Sequence, residues 1–250
     1  MWSDGDPPGP RLPLDDAFAS PDAKRRYNRR LFHVIADRYD LITVLLSYGR
    51  DRHWKRRVVE AAAVRPGERA LDLACGTGDL AFMVADRGAS VVGVDLTPKM
   101  LRLARGRDPA RRVRFVTGDM TALPLGDHAF DLVTAGYGLR NVPVLESALR
   151  EILRVLRPGG RFVALDFNRP GNAAVRRAYL GYLTLVGSAV GLALHGDPDT
   201  YRYIAASLRR YPGAAAVTAM MRDVGFAEAG WMPLLGGLMA MNVARKASSG

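Results

Sequence analysis

One ten-residue stretch, LDLACGTGDL from Leu71 to Leu80, constrains the fold of this 250-residue chain more than any other. An apolar run over 69–73 enters it, and Gly76 and Gly78 allow a sharp turn with close approach of the backbone to a ligand. Apolar spacing typical of a helix follows over 79–87. The stretch therefore predicts a buried strand, a ligand-binding loop and the N-terminus of a helix.

The glycine turn fits two classes of enzyme that bind adenosine-containing cofactors. Gly76, Gly78 and Ala81 match the G-x-G-x-x-G/A fingerprint of dehydrogenases, and Asp95 stands near the position of their ribose-binding acid. The alternative is an S-adenosylmethionine methyltransferase, in which an acid on the first strand precedes the turn. Asp72 favours this alternative, because a carboxylate attracts the cationic methionine end of the donor and repels a pyrophosphate. A strand, turn and helix without a ligand is the third interpretation.

From residue 69 onward, short apolar strands alternate with helical stretches. Strands are predicted at 69–73, 90–94, 113–117, 130–135 and 161–167, and helices at 79–87, 98–106 and 144–156. This alternation predicts an α/β fold with a doubly wound, mostly parallel sheet and ligands at the carboxyl ends of its strands. Helices over 24–46 and 52–63 precede it, and helical insertions at 178–194 and 201–222 lead to a closing hairpin over 231–244.

The domain plan is one domain behind a polar tail. Residues 1–20 are expected to be disordered, and they lack the basic start and apolar core of a signal peptide. Residues 21–246 are predicted to form a single domain, with an N-terminal helical cap (21–63), a cofactor-binding core (64–167) and a substrate-side helical segment (172–212). The single cysteine, Cys75, fits a reducing compartment, so a cytoplasmic location is expected.

Positive charge is concentrated near the N-terminus. Of the formal net charge of +11, the stretch 24–57 contributes eleven basic residues against three acids, a net of +8. A basic patch of this size favours an anionic membrane surface or nucleic acid as partner, and a solvated face is the alternative.

Residues 178–194 contain no charged side chain. The run is shorter than the roughly 20 apolar residues of a membrane span and includes glycines and hydroxyl groups, which argues against insertion. Two interpretations stay open for it: a buried helix that roofs the active site, or a helix that lines an apolar substrate channel or contacts lipid.

Acids at later strand ends extend the predicted cofactor site. Asp95 closes the second strand, where a carboxylate is placed to accept hydrogen bonds from a ribose diol. Asp119 follows the third strand and is placed to accept from an adenine amino group, while Met120 packs on the ring. We find no acid–base pair or nicotinamide pocket that a dehydrogenase needs, so the methyltransferase interpretation is favoured.

Several short motifs occur together in the chain. They are Tyr39-Asp-Leu41, Ser47-Tyr-Gly49 with Trp54-Lys-Arg56, Leu71-Asp-Leu73 with Gly76-Thr-Gly-Asp79, Arg157-Pro-Gly-Gly160, and Ser207-Leu-Arg209 with Tyr211-Pro212. The most specific motif is the box GLRNV at 138–142, which generic methyltransferases lack. With these motifs the chain resembles the UbiE/MenG family, the C-methyltransferases of ubiquinone and menaquinone biosynthesis, over about 27–246.

The resemblance implies S-adenosyl-L-methionine as cofactor and no metal. Together with the turn, it gives a predicted cofactor-binding set of Asp72, Ala74, Gly76, Thr77, Gly78, Asp95, Leu96, Asp119, Met120 and Gly136. The implied reaction is methyl transfer to a ring carbon of a prenylated quinol, with demethylmenaquinol as first choice. A ubiquinone-type benzoquinol, or another apolar or aromatic acceptor, stays open.

Four residues are predicted to serve catalysis. Arg140 is expected to face a phenolate oxygen as a fixed cation, unless it pairs with a carboxylate to shape its loop, and Asn141 to orient the ring. Tyr39 is expected to close the pocket or relay a proton. Either His195 or Asp197 is a candidate for the general base; His195 suits that role near neutral pH, and a structural role is its alternative.

A prenylated acceptor implies contact with a membrane. The basic stretch would hold the protein at anionic lipid, peripherally at the cytoplasmic face. No nucleic acid is expected as a partner, and a homodimer is left open.

Overall fold

The computed structural model describes residues 14–47 and 49–248, including their side chains except those of Leu45 and Leu46. Within these residues, one sheet has the strand order β3-β2-β1-β4-β5-β7-β6. Its strands are β1 (Arg69–Leu73), β2 (Ser90–Asp95), β3 (Val113–Thr117), β4 (Phe130–Gly136), β5 (Leu156–Phe167), β6 (Glu228–Leu234) and β7 (Met239–Arg245). The strands β1 to β5 pair in parallel, whereas β7 runs antiparallel to both β5 and β6.

The strand order reverses between β1 and β4, which makes the carboxyl end of β1 the topological switch point. The turn at 74–78 leaves the sheet there. Strands β1 and β4 are buried along almost their whole length, as expected for parallel strands covered on both faces. The predicted doubly wound α/β fold is therefore confirmed, and the one clear difference among the first five strands is that β5 begins at Leu156 rather than 161.

Helices cover the sheet. Those that pack on it are α3 (Asp51–Ala62), α4 (Asp79–Ala85), α5 (Pro98–Gly106), α6 (Leu145–Val155) and α9 (Ala214–Asp223). The N-terminal cap consists of α1 (Pro21–Ile35) and α2 (Tyr39–Leu46), joined by a 3-10 turn over Ala36–Arg38. Helix α1 begins where the Ser20 hydroxyl accepts a hydrogen bond from the Ala23 amide at 3.1 Å.

The predicted disorder up to Ser20 is wrong for residues 14–20, and residues 1–13 lie outside the described part. Residues 14–20 include a 3-10 turn at Asp16–Phe18 in which Ala17 is buried. The Phe18 ring stacks on Tyr203 at 5.8 Å, and the Arg210 guanidinium lies 4.0 Å from the Phe18 centroid. Aromatic burial and a cation–π contact therefore order this segment.

A helical layer follows β5. It consists of α7 (Ala173–His195) and α8 (Asp199–Arg210), which pack side by side. The single helix predicted over 201–222 is two helices, α8 and α9, because Tyr211-Pro-Gly213 interrupts it and proline cannot continue the hydrogen-bond ladder. Among the described helices, α7 alone is long and apolar enough to cross a membrane by length and composition. The predicted hairpin is confirmed as β6 and β7.

Candidate functional site

An open cavity, with about 710 Å³ of space when the adjoining solvent is included, lies at the carboxyl ends of β1, β2, β3 and β4, on the side covered by α1. This donor-side cavity is lined on the sheet side by Ala74, Gly76, Asp95, Leu96, Gly118, Asp119, Met120 and Gly136, and on the cap side by Arg25, Asn28, Phe32 and Tyr39. Of the ten residues predicted to bind the cofactor, seven line it: Ala74, Gly76, Asp95, Leu96, Asp119, Met120 and Gly136.

The turn after β1 requires glycine. Gly78 has φ +91°, and a Cβ added there would lie 2.8 Å from the Phe82 ring. The Gly76 amide donates a hydrogen bond of 2.9 Å to Asp95 Oδ2, which ties the turn to the end of β2. The backbone is thereby held open toward the cavity, as a ligand-binding loop needs.

Asp95 presents a fixed carboxylate to the cavity. Its Oδ1 accepts from the Thr97 amide at 2.8 Å, in addition to the Gly76 bond. Burial raises the pKa of Asp95, although these backbone hydrogen bonds oppose the shift. The carboxyl group is thus fixed by two backbone amides at the position predicted for a ribose-binding acid.

Asp119 faces the cavity from the end of β3. Its Oδ1 accepts from the Thr121 amide and hydroxyl, both at 2.8 Å, and its Oδ2 accepts from Arg25 Nε at 2.5 Å. Burial works to raise the pKa of Asp119, but the hydrogen bonds from Thr121 and Arg25 outweigh it and hold the pKa below its usual value. Arg25, which the sequence analysis counted only in the basic stretch, thus belongs to the cavity wall.

Three predicted cofactor residues do not line the cavity: Asp72, Thr77 and Gly78. Asp72 is buried on β1, where its Oδ1 accepts from the Thr134 hydroxyl at 2.7 Å. Burial raises the pKa of Asp72 to about 7. The Thr77 hydroxyl donates to Asp40 at 2.6 Å, and its carbonyl accepts from Arg107 at 3.1 Å. The side chains of Asp72 and Thr77 thus hydrogen-bond to neighbouring protein residues and stabilise the turn without facing the cavity.

A second open cavity, with about 530 Å³ of space when the adjoining solvent is included, adjoins the first between α1, α2 and α8. This acceptor-side cavity shares Phe32, Tyr39 and Tyr137 with the donor-side cavity. Its remaining lining is mostly apolar or aromatic: Leu31, Ile35, Ile42, Thr43, Arg140, Phe167, Thr200, Tyr201, Tyr203 and Ile204. The two cavities therefore meet at three aromatic side chains.

Arg140 brings a buried guanidinium to the acceptor-side cavity. Its Nε lies 3.2 Å from Asp166 Oδ1, its Nη1 donates to the Ser207 hydroxyl at 2.8 Å, and the group lies 5.2 Å from the centroid of Phe167. Burial raises the pKa of Asp166, although Arg140 opposes this shift. Arg140 therefore pairs with a carboxylate, as the second of its two predicted roles requires, and it also lines the cavity. Ser207 was predicted only as part of a motif, with no role of its own.

The box at 138–142 is held by side chains of α1. Lys24 Nζ donates to the carbonyls of Arg140 and Val142 at 3.1 and 2.7 Å, and Asn28 Nδ2 donates to the Asn141 carbonyl at 2.5 Å. Three consecutive carbonyls are therefore bound by one helix. Burial, with Arg140 nearby, lowers the pKa of Lys24 to about 8. The Asn141 side chain lines the donor-side cavity and donates to the Tyr137 carbonyl at 3.0 Å.

Of the other two residues predicted to serve catalysis, Tyr39 lies at both cavities and His195 lies outside them. Tyr39 lines both cavities, and burial raises its pKa to about 12. His195 lines neither, but its Nε2 lies 2.9 Å from the hydroxyl of Tyr201, which lines the acceptor-side cavity. Burial and Arg38 lower the pKa of His195. The sequence analysis missed Tyr201, which no motif marked.

The basic stretch 24–57 is only partly a surface. Lys24 and Arg25 turn inward as described, and Lys55 is buried between Asp51 and Asp79 at 2.7 and 2.9 Å. Three of the eleven basic side chains in this stretch are therefore bound by acids or carbonyls of the protein, and the basic patch stays a prediction for the others. Within the described residues no group of three or more His, Cys, Asp or Glu side chains is arranged to hold a metal ion.

Comparison with solved structures agrees with the fold. An S-adenosylmethionine-dependent methyltransferase from Thermotoga maritima aligns over 87% of this chain and 99% of its own, with a TM-score of 0.63 and 20% identity. An S-adenosylmethionine-dependent methyltransferase from Aquifex aeolicus aligns over 76% and 88%, with a TM-score of 0.55 and 14% identity.

Comparison of sequences gives much closer relatives. The demethylmenaquinone methyltransferase of Thermus thermophilus is 46% identical over 78% of this chain and 91% of its own length. The ubiquinone/menaquinone biosynthesis C-methyltransferase UbiE of Ectopseudomonas mendocina is 42% identical over 85% and 86%. The model of the ubiE/COQ5 methyltransferase family matches residues 21–246. This chain belongs to the ubiE/COQ5 methyltransferase family.

Proposed function

We propose that this chain is an S-adenosylmethionine-dependent C-methyltransferase whose acceptor is the ring of a prenylated quinol, with demethylmenaquinol as the preferred one. The observation that carries the proposal is the junction of two cavities at Phe32, Tyr39 and Tyr137. One cavity offers carboxylates at strand ends, and the other offers an apolar wall with one buried guanidinium. A polar donor and an apolar acceptor therefore have adjacent sites.

The donor-side cavity fits S-adenosylmethionine in its chemistry, since carboxylates at strand ends face it at the switch point of the sheet. Asp95 would accept from the ribose hydroxyls, and Asp119 from the adenine amino group beside Met120. Gly138 lets its loop pack closely on the turn after β1 beside this cavity, because a Cβ there would lie 2.8 Å from that of Ala74. When bound, the donor supplies an electrophilic methyl group.

The acceptor-side cavity suits a phenolate. A ring carbon becomes nucleophilic when the neighbouring hydroxyl loses its proton, so a fixed cation near that oxygen lowers the barrier. Asp166 and Ser207 hold the Arg140 guanidinium in place. Lys24, whose Nζ donates to the Arg140 carbonyl at 3.1 Å, adds a second positive charge beside this loop. The hydroxyl proton has a route through Tyr201 to His195, whose lowered pKa leaves it neutral and able to accept near pH 7.

A benzoquinol acceptor is the second candidate, because a 42% identical relative carries both ubiquinone and menaquinone in its name. The test incubates the purified chain with methyl-labelled S-adenosylmethionine and short-tailed demethylmenaquinol, ubiquinone-type benzoquinol or an unprenylated phenol. We expect label in demethylmenaquinol at a kcat/KM at least tenfold above that for the other two. Label in neither quinol would refute the proposed function, and a preference for the benzoquinol would correct the acceptor.

We also propose that the enzyme meets its acceptor peripherally at an anionic membrane surface on the cytoplasmic side. The support is the acceptor itself, since a polyprenyl tail is insoluble in water. The homodimer left open above stays a prediction, to be tested by light scattering.

A further inference from the structure

Helix α7 buries only one face. Its buried residues Tyr179, Leu183, Gly187 and Gly191 recur every four positions. A Cβ at Gly187 would lie 2.8 Å from the Tyr201 carbonyl oxygen, and one at Gly191 would lie 2.5 Å from that of Asp197. These two glycines let α7 approach the α8 region closely. The helix therefore lies flat along the protein, which is not the arrangement of a membrane span.

The opposite face of α7 is apolar and exposed. Leu185 is 73% exposed and Leu192 62% exposed. The hydroxyls of Thr184 and Ser188 donate to carbonyls four residues back, both at 2.7 Å, so their polarity is satisfied inside the helix. With no charge from 178 to 194, this face has the composition of an interaction surface.

Arginines border this face. Arg177 is exposed near its N-terminal end, Arg209 of α8 lies 3.3 Å from the Thr184 hydroxyl midway along it, and Arg38 donates to the Leu194 carbonyl at 2.5 Å near its C-terminal end. The next acids along the chain follow the helix, and of these Asp199 accepts from Arg202 at 2.7 Å. In an anionic bilayer, phosphate headgroups would contact the arginines while acyl chains contact the apolar face. A symmetric dimer through this face would instead bring the arginines of the two copies close together, where they repel each other.

The strip lies beside the acceptor-side cavity. Helix α8 has α7 on one side and contributes Thr200, Tyr201 and Ile204 to the cavity wall. The other wall belongs to α1 and α2, where Leu41 is 61% exposed and Val34 is also exposed. Exposed apolar side chains therefore stand on elements at both sides of the cavity.

We propose that the outer face of α7, centred on Leu185 and Leu192 and bordered by Arg38, Arg177 and Arg209, docks flat on an anionic bilayer. The docked enzyme takes a membrane-dissolved quinol into the acceptor-side cavity without extracting its whole tail into water. The role of this face in quinol uptake rests on the proposed function, whereas its binding to lipid can be measured without methyl transfer.

The test measures co-sedimentation of the full chain with vesicles of phosphatidylglycerol and phosphatidylcholine. We expect Leu185→Asp and Leu192→Asp each to weaken binding at least tenfold. The matched control is Trp231→Asp, since Trp231 is a large apolar residue, 40% exposed, on β6; it should bind as the parent does. Leu185→Asp should also lose kcat/KM for vesicle-embedded demethylmenaquinol while that for a short-tailed acceptor stays within twofold.

A second measurement does not depend on a destabilising charge. Cys75 is buried, so a Leu185→Cys variant is labelled selectively with an environment-sensitive fluorophore. We expect a blue shift with anionic vesicles, and none for the same label at Val144→Cys, an exposed site on the loop before α6. Equal binding of Leu185→Asp and the parent would overturn the proposal. So would a dimer that Leu185→Asp dissociates without changing lipid binding. Failure of methyl transfer to every quinol would instead count against the proposed function alone.

Discussion

Replacing Arg140 by Met separates its structural role from its catalytic role. The guanidinium is 6% exposed and balances Asp166, which is itself buried. Removing one partner of a buried ion pair costs about 3–5 kcal/mol, because the other charge is left uncompensated. Asp166 keeps its backbone donors, the amides of Arg140 at 3.0 Å and Phe167 at 2.8 Å. We therefore expect a loss near the lower limit, about 3 kcal/mol of unfolding free energy at pH 8.

The pH dependence of this loss has a definite sign. Burial already raises the pKa of Asp166, and the variant lacks the cation that opposes this shift, so the pKa rises further. A carboxyl whose pKa is higher in the folded chain than its value of about 3.9 in the unfolded chain takes up its proton first in the folded state. The deficit in unfolding free energy should therefore shrink as pH falls from 8 to 5. Urea denaturation at both pH values measures it.

The double variant Arg140→Met/Asp166→Asn decides between the two roles. It removes the unbalanced charge, so we expect it to regain at least about 1 kcal/mol of stability. Turnover of a short-tailed acceptor should stay at least tenfold below the parent value, while the dissociation constant for S-adenosylmethionine, measured by calorimetry, stays within twofold. Recovery of turnover together with stability would refute a catalytic role for Arg140 and make it a structural residue.

Three further changes test other parts of the structure. Asp95→Ala removes the carboxylate proposed to bind the ribose, and we expect the dissociation constant for S-adenosylmethionine to rise at least tenfold by calorimetry; an unchanged constant would contradict that role. Gly191→Ala places a Cβ 2.5 Å from a backbone oxygen, whereas nothing lies within 4 Å at Gly181. The former should lower unfolding free energy by about 1–3 kcal/mol and Gly181→Ala should not lower it. The pKa of Lys24 is depressed to about 8. Since a lysine in the unfolded chain titrates near about 10.4, unfolding free energy should rise with pH between these values by at most about 1.4 kcal/mol per unit, and Lys24→Met should flatten that rise.

Sequence periodicity predicted the framework well because each strand is a local pattern. The segments that form β1 to β4 are five to seven residues long, are rich in apolar residues and end at a turn or an acid. Their strand type and their carboxyl ends could therefore be predicted from local sequence. The acids Asp95 and Asp119 were found for the same reason, since each stands at a strand end. Parallel strands then bring these ends to one edge of the sheet.

The rest of the site depends on contacts between distant segments. Lys24 binds carbonyls more than 100 residues away, and Arg25 reaches Asp119 from α1. Neither contact has a local pattern, so both side chains were counted as surface charge. Phe18 was assigned to disorder as part of the polar N-terminal tail, although tertiary packing on Tyr203 orders it. Such contacts follow from the docking of whole elements.

Asp72 tilted the choice toward a cationic donor, yet its carboxylate lies behind the turn and not on the cavity wall. The Asp72 carboxylate can therefore affect a bound ligand only electrostatically, across the turn, and the size of this effect depends on the charge of the ligand. S-adenosylmethionine carries a sulfonium that its demethylated product lacks. Because burial raises the pKa of Asp72 to about 7, the carboxyl is mostly ionised at pH 8.5. There, Asp72→Asn should weaken binding of the donor by about three- to tenfold and leave binding of the product unchanged. Calorimetry with both ligands tests this, and equal losses would mean that Asp72 only shapes the turn.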